Sequence, residues 1–315
     1  MANKKEFTEE GYYNLKIFAH DSILLEMVED HVDYLDMLIK VTMEGLDHSK
    51  ELVPEGSYTK SSIKDTIELT KEFLDSVSDN YGNNFEKFLN DGTVNLYYLE
   101  DEESVEENGE YAYYDPDDKG HKNINMPLEG TTLDSFILTH EFIHSQNSSE
   151  EDESLDRAFL SEGVSRMYEL LLYRYMEDNL ILRDDANEFL KYYLRRLYNS
   201  AAALKEITDV IKRFDSTKIN INEFKEKPKY ARRIYHAIET RFKYFIGEAL
   251  ALYTYYNVER GIVTPKNIED MSNSLNKHGY FTSINYILSK IPNEEEFAKA
   301  LMAVKSEVRS KTMKI

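Results

Sequence analysis

The segment His140-Glu141-Phe142-Ile143-His144 is the part of the chain in which residue type and spacing specify a chemistry. Two residues four apart on a helix lie on the same face, one turn apart, so both imidazoles can bind a single Zn²⁺. Glu141 lies between them and is placed to act as a general base toward a water molecule. The pattern therefore predicts a metal-dependent hydrolytic site.

The residues before this segment predict the helix that positions it. Thr131-Thr132-Leu133-Asp134 offers a hydroxyl cap with an acid three residues on, which is a helix start signal. Apolar residues then recur at helical spacing and lead to both histidines. They are Leu133, Phe136, Ile137 and Ile143. The competing interpretation is an amphipathic helix that carries two histidines by accident, one of them buried and neutral.

A second segment further along the chain indicates the class of site. Residues 159–169 contain an apolar pair, then Ser161-Glu162-Gly163, then small and aromatic residues. This segment resembles the second zinc helix of gluzincins, the thermolysin-like clan of H-E-x-x-H zinc metallopeptidases. Metzincins instead continue with a glycine and a third histidine, and residues 145–150 do not fit that continuation.

The resemblance covers about residues 110–178, and both ends of the chain lie outside it. It implies that His140, His144 and Glu162 hold one Zn²⁺ per chain and that Glu141 is the catalytic general base. Glu162 could also be a solvated helix acid. The alternative third ligands are Glu169 and Asp156.

One position departs from the thermolysin-like pattern. Those enzymes place an aspartate four residues after the ligand glutamate, where it orients a zinc histidine, and here that position is Arg166. A zinc-bound histidine still requires an acceptor for its second ring N–H. Ser165, Glu169 or a backbone carbonyl could provide it.

Hydrolysis of an amide develops negative charge on the carbonyl oxygen, and a Tyr, His or Arg donor lowers that barrier. Tyr244 is the preferred candidate, because it stands one turn before Gly247 and a run of small residues that let its helix pack close to the active-site helix. Several zinc peptidase families carry a similar Tyr-x-x-Gly helix. The other candidates are Tyr235, His236 and His278.

Two short strands are predicted before the active-site helix, at residues 109–114 and 123–127, with turn residues 115–120 between them. Zincins place a small sheet here, and its edge strand pairs with extended peptide substrate. A calcium-loop interpretation of the turn fails, because Lys119 and Met126 occupy positions that require oxygen ligands.

Composition excludes several classes of function. The net charge of −21 argues against nucleic-acid binding, which depends on clustered Lys and Arg, and it weakly favours cationic substrates or partners. Cysteine is absent, so thiolates cannot hold zinc. Neither a signal-peptide core at residues 1–6 nor a run of ~20 apolar residues is present. We therefore expect a cytoplasmic protein without membrane contact, although secretion without a classical signal stays open.

Helical periodicity dominates the rest of the chain, and glycine and proline are few. The predicted fold is mainly α with a small β-hairpin or sheet, a zincin-like α+β fold. We expect an N-terminal helical region (1–92), a zincin core with both zinc helices (93–180) and a C-terminal helical region (181–315). The predicted helical stretches are 7–50, 61–89, 187–214, 229–258 and 294–309.

Together these patterns predict a zinc-dependent metallopeptidase that acts on peptides or proteins. An endopeptidase is preferred, because the aminopeptidase signature Gly-x-Met-Glu-Asn does not occur upstream of His140. One alternative is a zincin-fold regulatory or partner-binding protein with little or no turnover. The other is a helical interaction protein with an accidental motif. The oligomeric state does not follow from the sequence.

Overall fold

The structure is a computed structural model that describes residues 8–18, 23–46, 58–100, 113–116, 122–147, 155–219, 227–264, 266–268, 290–291 and 293–312. It is mainly helical with one small sheet, which confirms the predicted fold class. The helices are α1 Glu9–Phe18, α2 Ile23–Asp30, α3 Val32–Leu46, α4 Ile63–Val77, α5 Asp79–Asn90, α6 Leu133–Asn147, α7 Leu155–Asp178, α8 Arg183–Arg213, α9 Pro228–Glu259 and α10 Glu294–Thr312.

Within the described residues, the sheet has three strands in the order β1-β3-β2: β1 Val94–Tyr98, β2 Tyr113–Pro116 and β3 Lys122–Leu128. Strands β2 and β3 pair antiparallel, as predicted for the hairpin, although Asp115 and Pro116 belong to the strand and not to the turn. Strand β1 pairs parallel to β3 and was not predicted. The acidic stretch at 101–110 lies outside the described residues.

Two helical stretches divide differently from the prediction. Residues 61–89 form two helices, because Ser62 and Asp65 make a capping box at the start of α4 and Ser78 adopts an extended conformation at its end. The N-terminal stretch contains three helices, α1, α2 and α3. The long C-terminal helices begin and end within a few residues of the predicted bounds, as does α10 at its start.

Helix α6, which carries both histidines, packs against several elements. It packs against α4, against α7, and against β2 and β3. Phe142 on one side contacts the rings of Tyr81, Phe85 and Phe88 from α5. Helix α6 is therefore held from several directions, and its histidines have little freedom to move.

Among the described helices, none is long and apolar enough to cross a membrane.

Candidate metal centre

A carboxylate fixes the entry into α6. Asp134 accepts hydrogen bonds from the backbone N–H groups of Glu129, Gly130 and Thr131 at 2.9–3.1 Å. The helix therefore begins where the sequence predicted, and the acid holds the turn that precedes it. Thr132 Oγ donates to the carbonyl of Thr59. Negative charge in the first turn also suits the helix dipole.

His140 and His144 lie one turn apart on α6, and their Nε2 atoms face each other at 2.8 Å. The other ring nitrogen of each histidine contacts a residue of α7. His140 Nδ1 lies 2.7 Å from Glu169 Oε1, and His144 Nδ1 lies 2.7 Å from Ser161 Oγ. Helix α7 therefore orients both imidazoles.

Glu162 of α7 brings a carboxylate to the same point. Its Oε1 lies 3.7 Å from His140 Nε2, and its Oε2 lies 3.5 Å from His144 Nε2. One ligand atom from each of these three residues lies within 4.8 Å of the others. The structure thus brings together the three residues that the resemblance implies as ligands.

The donor set fits a zinc ion. Ligand atoms around a tetrahedral zinc lie roughly 3.3 Å apart, because the bonds are ~2.0–2.1 Å long, and the three separations here bracket that value. Glu169 Oε1 can only accept and lies 2.7 Å from His140 Nδ1, so a proton on Nδ1 is favoured there and would leave Nε2 free to bind a metal ion. A bare Nε2 and a carboxylate that converge in a buried site repel each other unless a cation lies between them.

Charges around the site favour protonation states of His140 and Glu162 that can bind a metal ion. Burial lowers the pKa of His140, and the guanidinium of Arg166 adds to this effect, so the ring is neutral at neutral pH. Burial alone would raise the pKa of Glu162, but Arg166 and the two imidazoles hold it well below its usual range. The site therefore offers a neutral imidazole at His140 and an ionised carboxylate at Glu162.

A cleft of about 520 Å³ opens over these residues and is also lined by Glu141. The side chain of Glu141 is partly exposed, in contrast to the buried His140 and Glu162. Leu133, Phe136 and Ile137, the apolar residues predicted to lead along α6 to the histidines, also line this cleft. The core side of α6 is formed by other residues, among them Leu138 and Phe142.

A buried network of charges lies behind the ligands. Arg166, four residues after Glu162, lies 2.8 Å from Glu162 Oε1 and also pairs with Glu169. Arg196 of α8 lies 3.0 Å from Glu169 Oε2 and pairs with Glu248 of α9. Four charged side chains from three helices thus alternate in sign behind the metal-ligand positions.

Arg196 is largely buried, and its two ion pairs connect three helices. Burial and the positive charge of Arg196 each act to lower the pKa of Arg166. The nearby glutamates outweigh them, so this pKa is raised. Arg166 is therefore a charged member of the site, where the thermolysin-like pattern has an aspartate.

Removing Arg196 is expected to destabilise the fold strongly. In Arg196→Met, Glu248 loses its partner and Glu169 keeps only Arg166, which leaves excess negative charge in the interior. Loss of one member of a buried ion pair typically costs about 3–5 kcal/mol. Chemical denaturation of the zinc-free proteins measures the free energy of unfolding. Arg213→Met, which removes an exposed arginine at the end of the same helix that pairs with Glu9, is the control and should change it little. Equal effects of the two substitutions would contradict the structural role of Arg196.

Two glycines allow α9 to approach α7 closely. A Cβ atom at Gly247 would lie 3.1 Å from Glu162 Cγ and 3.1 Å from the backbone nitrogen of Gly163. A Cβ at Gly163 would meet the end of the Leu250 side chain at 3.1 Å. The Tyr244-x-x-Gly247 segment thus provides the close packing that the sequence predicted, but the helix it approaches is α7 and not α6.

Gly247→Ala is expected to displace Glu162 and weaken metal binding. Overpacking of this kind costs about 1–3 kcal/mol, which exceeds or offsets the gain of about 1 kcal/mol in helix propensity. Gly163→Ala is the matched comparison, because its new methyl group meets a flexible side-chain end. Zinc affinity from competition with a chelator should fall in Gly247→Ala and change much less in Gly163→Ala. An equal change in both variants would mean that Gly247 does not position Glu162.

The other candidate donors lie at different distances from this site. Tyr244 lines the cleft, with its ring 5.8 Å from the guanidinium carbon of Arg166. Neither Tyr235 nor His236 is among the described residues that line the cleft, and His236 instead pairs with Glu239. His278 lies outside the described residues. The side chain of Asp156, an alternative ligand, is not described either.

Sequence reasoning missed Lys243, whose Nζ lies 3.3 Å from Glu162 Oε2. It also missed the cleft-lining residues of α8, Phe189 and Tyr192. Phe189 stacks on Phe136 of α6 with ring centroids 3.7 Å apart. No local motif marks these residues. The signal that could have found Lys243 is its position beside Tyr244, one turn before Gly247.

At the level of sequence, no protein-family model and no curated protein matches the chain. Solved structures do match it in fold. A protein assigned as an oligoendopeptidase F from Bacillus anthracis str. Ames aligns with a TM-score of 0.58 and 16% identity over 97% of this chain and 59% of that one. PZ peptidase A with an inhibitor aligns with a TM-score of 0.56 and 15% identity over 99% of this chain and 62% of that one.

These likenesses confirm the predicted resemblance to gluzincin-type metallopeptidases at the level of fold. The alignments cover nearly the whole chain, and the chain spans only about three fifths of the length of those structures.

Proposed function

We propose that the protein is a zinc-dependent metallopeptidase and an endopeptidase. The observation that carries the proposal is the convergence of His140, His144 and Glu162 in a cleft that Glu141 also lines, within a fold shared with peptidases. A purely structural metal site has no use for a base between its ligands, which argues against a regulator without turnover.

His140, His144 and Glu162 would hold one Zn²⁺ per chain. When bound, zinc supplies Lewis acidity that polarises a carbonyl and lowers the pKa of a water molecule. Glu169 and Ser161 fix the orientation of the two imidazoles, which keeps both Nε2 atoms directed at one point. Arg166 lies beside Glu162 and Glu169 and keeps both carboxylates ionised.

Glu141 would accept a proton from the attacking water and return it to the leaving amine. Tyr244, at the wall of the cleft, is the proposed donor to the developing oxyanion. The small sheet that packs on α6 would hold an extended peptide by strand addition at its edge. Each role belongs to a residue or element that faces the cleft or packs against α6.

A peptide-library assay tests the proposal. The wild-type chain, reconstituted with Zn²⁺, should cleave internal bonds of library peptides, and a chelator should abolish the cleavage until zinc is restored. Mass spectrometry of the products identifies the bonds. Cleavage that a chelator does not affect, or no cleavage by a zinc-loaded chain, would refute the peptidase assignment.

A further inference from the structure

A second cavity of about 360 Å³, the side cavity, adjoins the cleft. The two cavities share Tyr192, Arg196 and Tyr244 as walls. The side cavity continues away from the metal-ligand residues between α8 and α9. It is lined further by Arg195, Asn199, Ser200, Ala203 and Arg241. A substrate bound in the cleft would therefore have direct access to it.

Two arginines of the side cavity have guanidinium N–H groups that are available for further hydrogen bonds. Arg195 lies over the ring of Tyr198 at 5.5 Å, and Arg241 donates one long hydrogen bond, of 3.4 Å, to the carbonyl of Ala203. Among the residues that the structure describes, no carboxylate forms an ion pair with either one. Arg196, the third arginine, is already committed to Glu169 and Glu248.

Arginines without an acidic partner are unexpected in this chain, because it has 59 acidic and only 38 basic residues. Two guanidinium groups in one concave surface repel each other, and a bound anion would relieve that repulsion. A guanidinium matches a carboxylate in bidentate geometry and forms stronger hydrogen bonds with it than with neutral groups. Tyr192 and Tyr244 are partly exposed at the entrance and provide aromatic contact area beside these charges.

The net charge of −21 does not prevent such binding. At physiological ionic strength, interactions between exposed charges are largely screened beyond about 8 Å. A ligand inside the side cavity therefore responds mainly to Arg195 and Arg241, and only weakly to the acids elsewhere on the surface.

We propose that the side cavity is a substrate subsite for a carboxylate group. This inference rests on the proposed peptidase function and adds a substrate class to it: peptides with an anionic group close to the bond that is cleaved. The carboxylate is either the free C-terminus of a short peptide or the side chain of an Asp or Glu residue.

Matched peptides distinguish the two sources. Starting from one cleaved peptide, the C-terminal acid is compared with the C-terminal amide, and Glu is compared with Gln at positions around the cleaved bond. The kcat/KM of the wild-type chain should be about tenfold higher for at least one charged member of a pair. A preference for the C-terminal acid over the amide would identify the C-terminal carboxylate as the bound group. A preference for Glu over Gln would identify the side chain.

The double variant Arg195→Gln/Arg241→Gln should lose this preference while it still cleaves the uncharged peptides. Arg195→Lys/Arg241→Lys keeps the charges and should retain part of the preference, which a merely structural role would not explain. Arg232→Gln, on an exposed position of α9, should behave as wild type. No preference in the wild-type chain, or a preference that survives the double Gln variant, would overturn the subsite while the peptidase function stands. Absence of cleavage of any peptide would instead refute the proposed function.

Discussion

Glu141→Gln is expected to abolish peptide cleavage and to leave zinc binding unchanged. The amide is nearly the same size as the carboxylate but cannot accept a proton from water. Loss of a general base typically lowers the rate by about 10²–10⁴-fold. Because Glu141 is partly exposed and is not one of the three converging donors, the fold and the metal site should persist. Steady-state kinetics and metal analysis of the same preparation measure both effects.

Glu206→Gln is the control for this variant, because it removes the same charge at an exposed position on α8. It should retain both activity and zinc. If Glu141→Gln lost its metal, the residue would be a ligand; if it cleaved peptides at the normal rate, the general base would have to be another group.

The second large effect is expected at Glu162. Glu162→Ala removes a proposed ligand. It should lower zinc affinity by more than the roughly 10–100-fold that is typical for loss of a residue that only orients a ligand. Glu169→Ala removes the carboxylate that orients His140, so its effect should fall within that smaller range. Competition with a chelator of known affinity gives the ratio between the two variants.

Glu162→Ala and Glu169→Ala are well matched, because each removes one buried carboxylate of α7. In Glu162→Ala, Arg166 keeps Glu169, and in Glu169→Ala, Arg196 keeps Glu248. Any large difference in zinc affinity therefore reflects the metal site and not a general loss of stability. If Glu169→Ala removed the metal and Glu162→Ala retained it, the ligand set would be His140, His144 and Glu169.

The motif on α6 was readable from sequence because one helix supplies His140, Glu141 and His144. Their relative position follows from helical geometry alone. Glu162 lies on a different helix, so helical geometry could not place it beside the histidines. Only the resemblance of its surrounding segment to the second zinc helix of gluzincins implied that it is a ligand. The structure brings it to the two imidazoles as that resemblance implied.

The environment of the ligands could not be predicted in the same way. Arg166, Arg196 and Glu248 lie on α7, α8 and α9, and only the packing of those helices brings them together. Sequence periodicity placed Leu133 and Ile137 on the α6 face that leads to the histidines, but the repeat could not show that this face forms the apolar wall of a cleft.

Strand β1 shows a related limit of prediction. Its pairing with β3 joins residues about thirty positions apart, and nothing local in residues 94–98 marks that partner. The hairpin between β2 and β3 was predictable because turn residues connect its strands directly. Local signals thus recovered the helices and the hairpin, and long-range packing decided the rest.

The most direct test of the account is metal analysis of the zinc-reconstituted chain, combined with X-ray absorption spectroscopy at the zinc edge. We expect about one zinc per chain, with scattering from two imidazoles and from oxygen ligands at ~2.0–2.2 Å. Sulfur scattering is not expected from cysteine, since the chain contains none. His144→Ala should bind little zinc under the same conditions. Full zinc occupancy in His144→Ala, or a wild-type spectrum without imidazole scattering, would contradict the proposed metal centre.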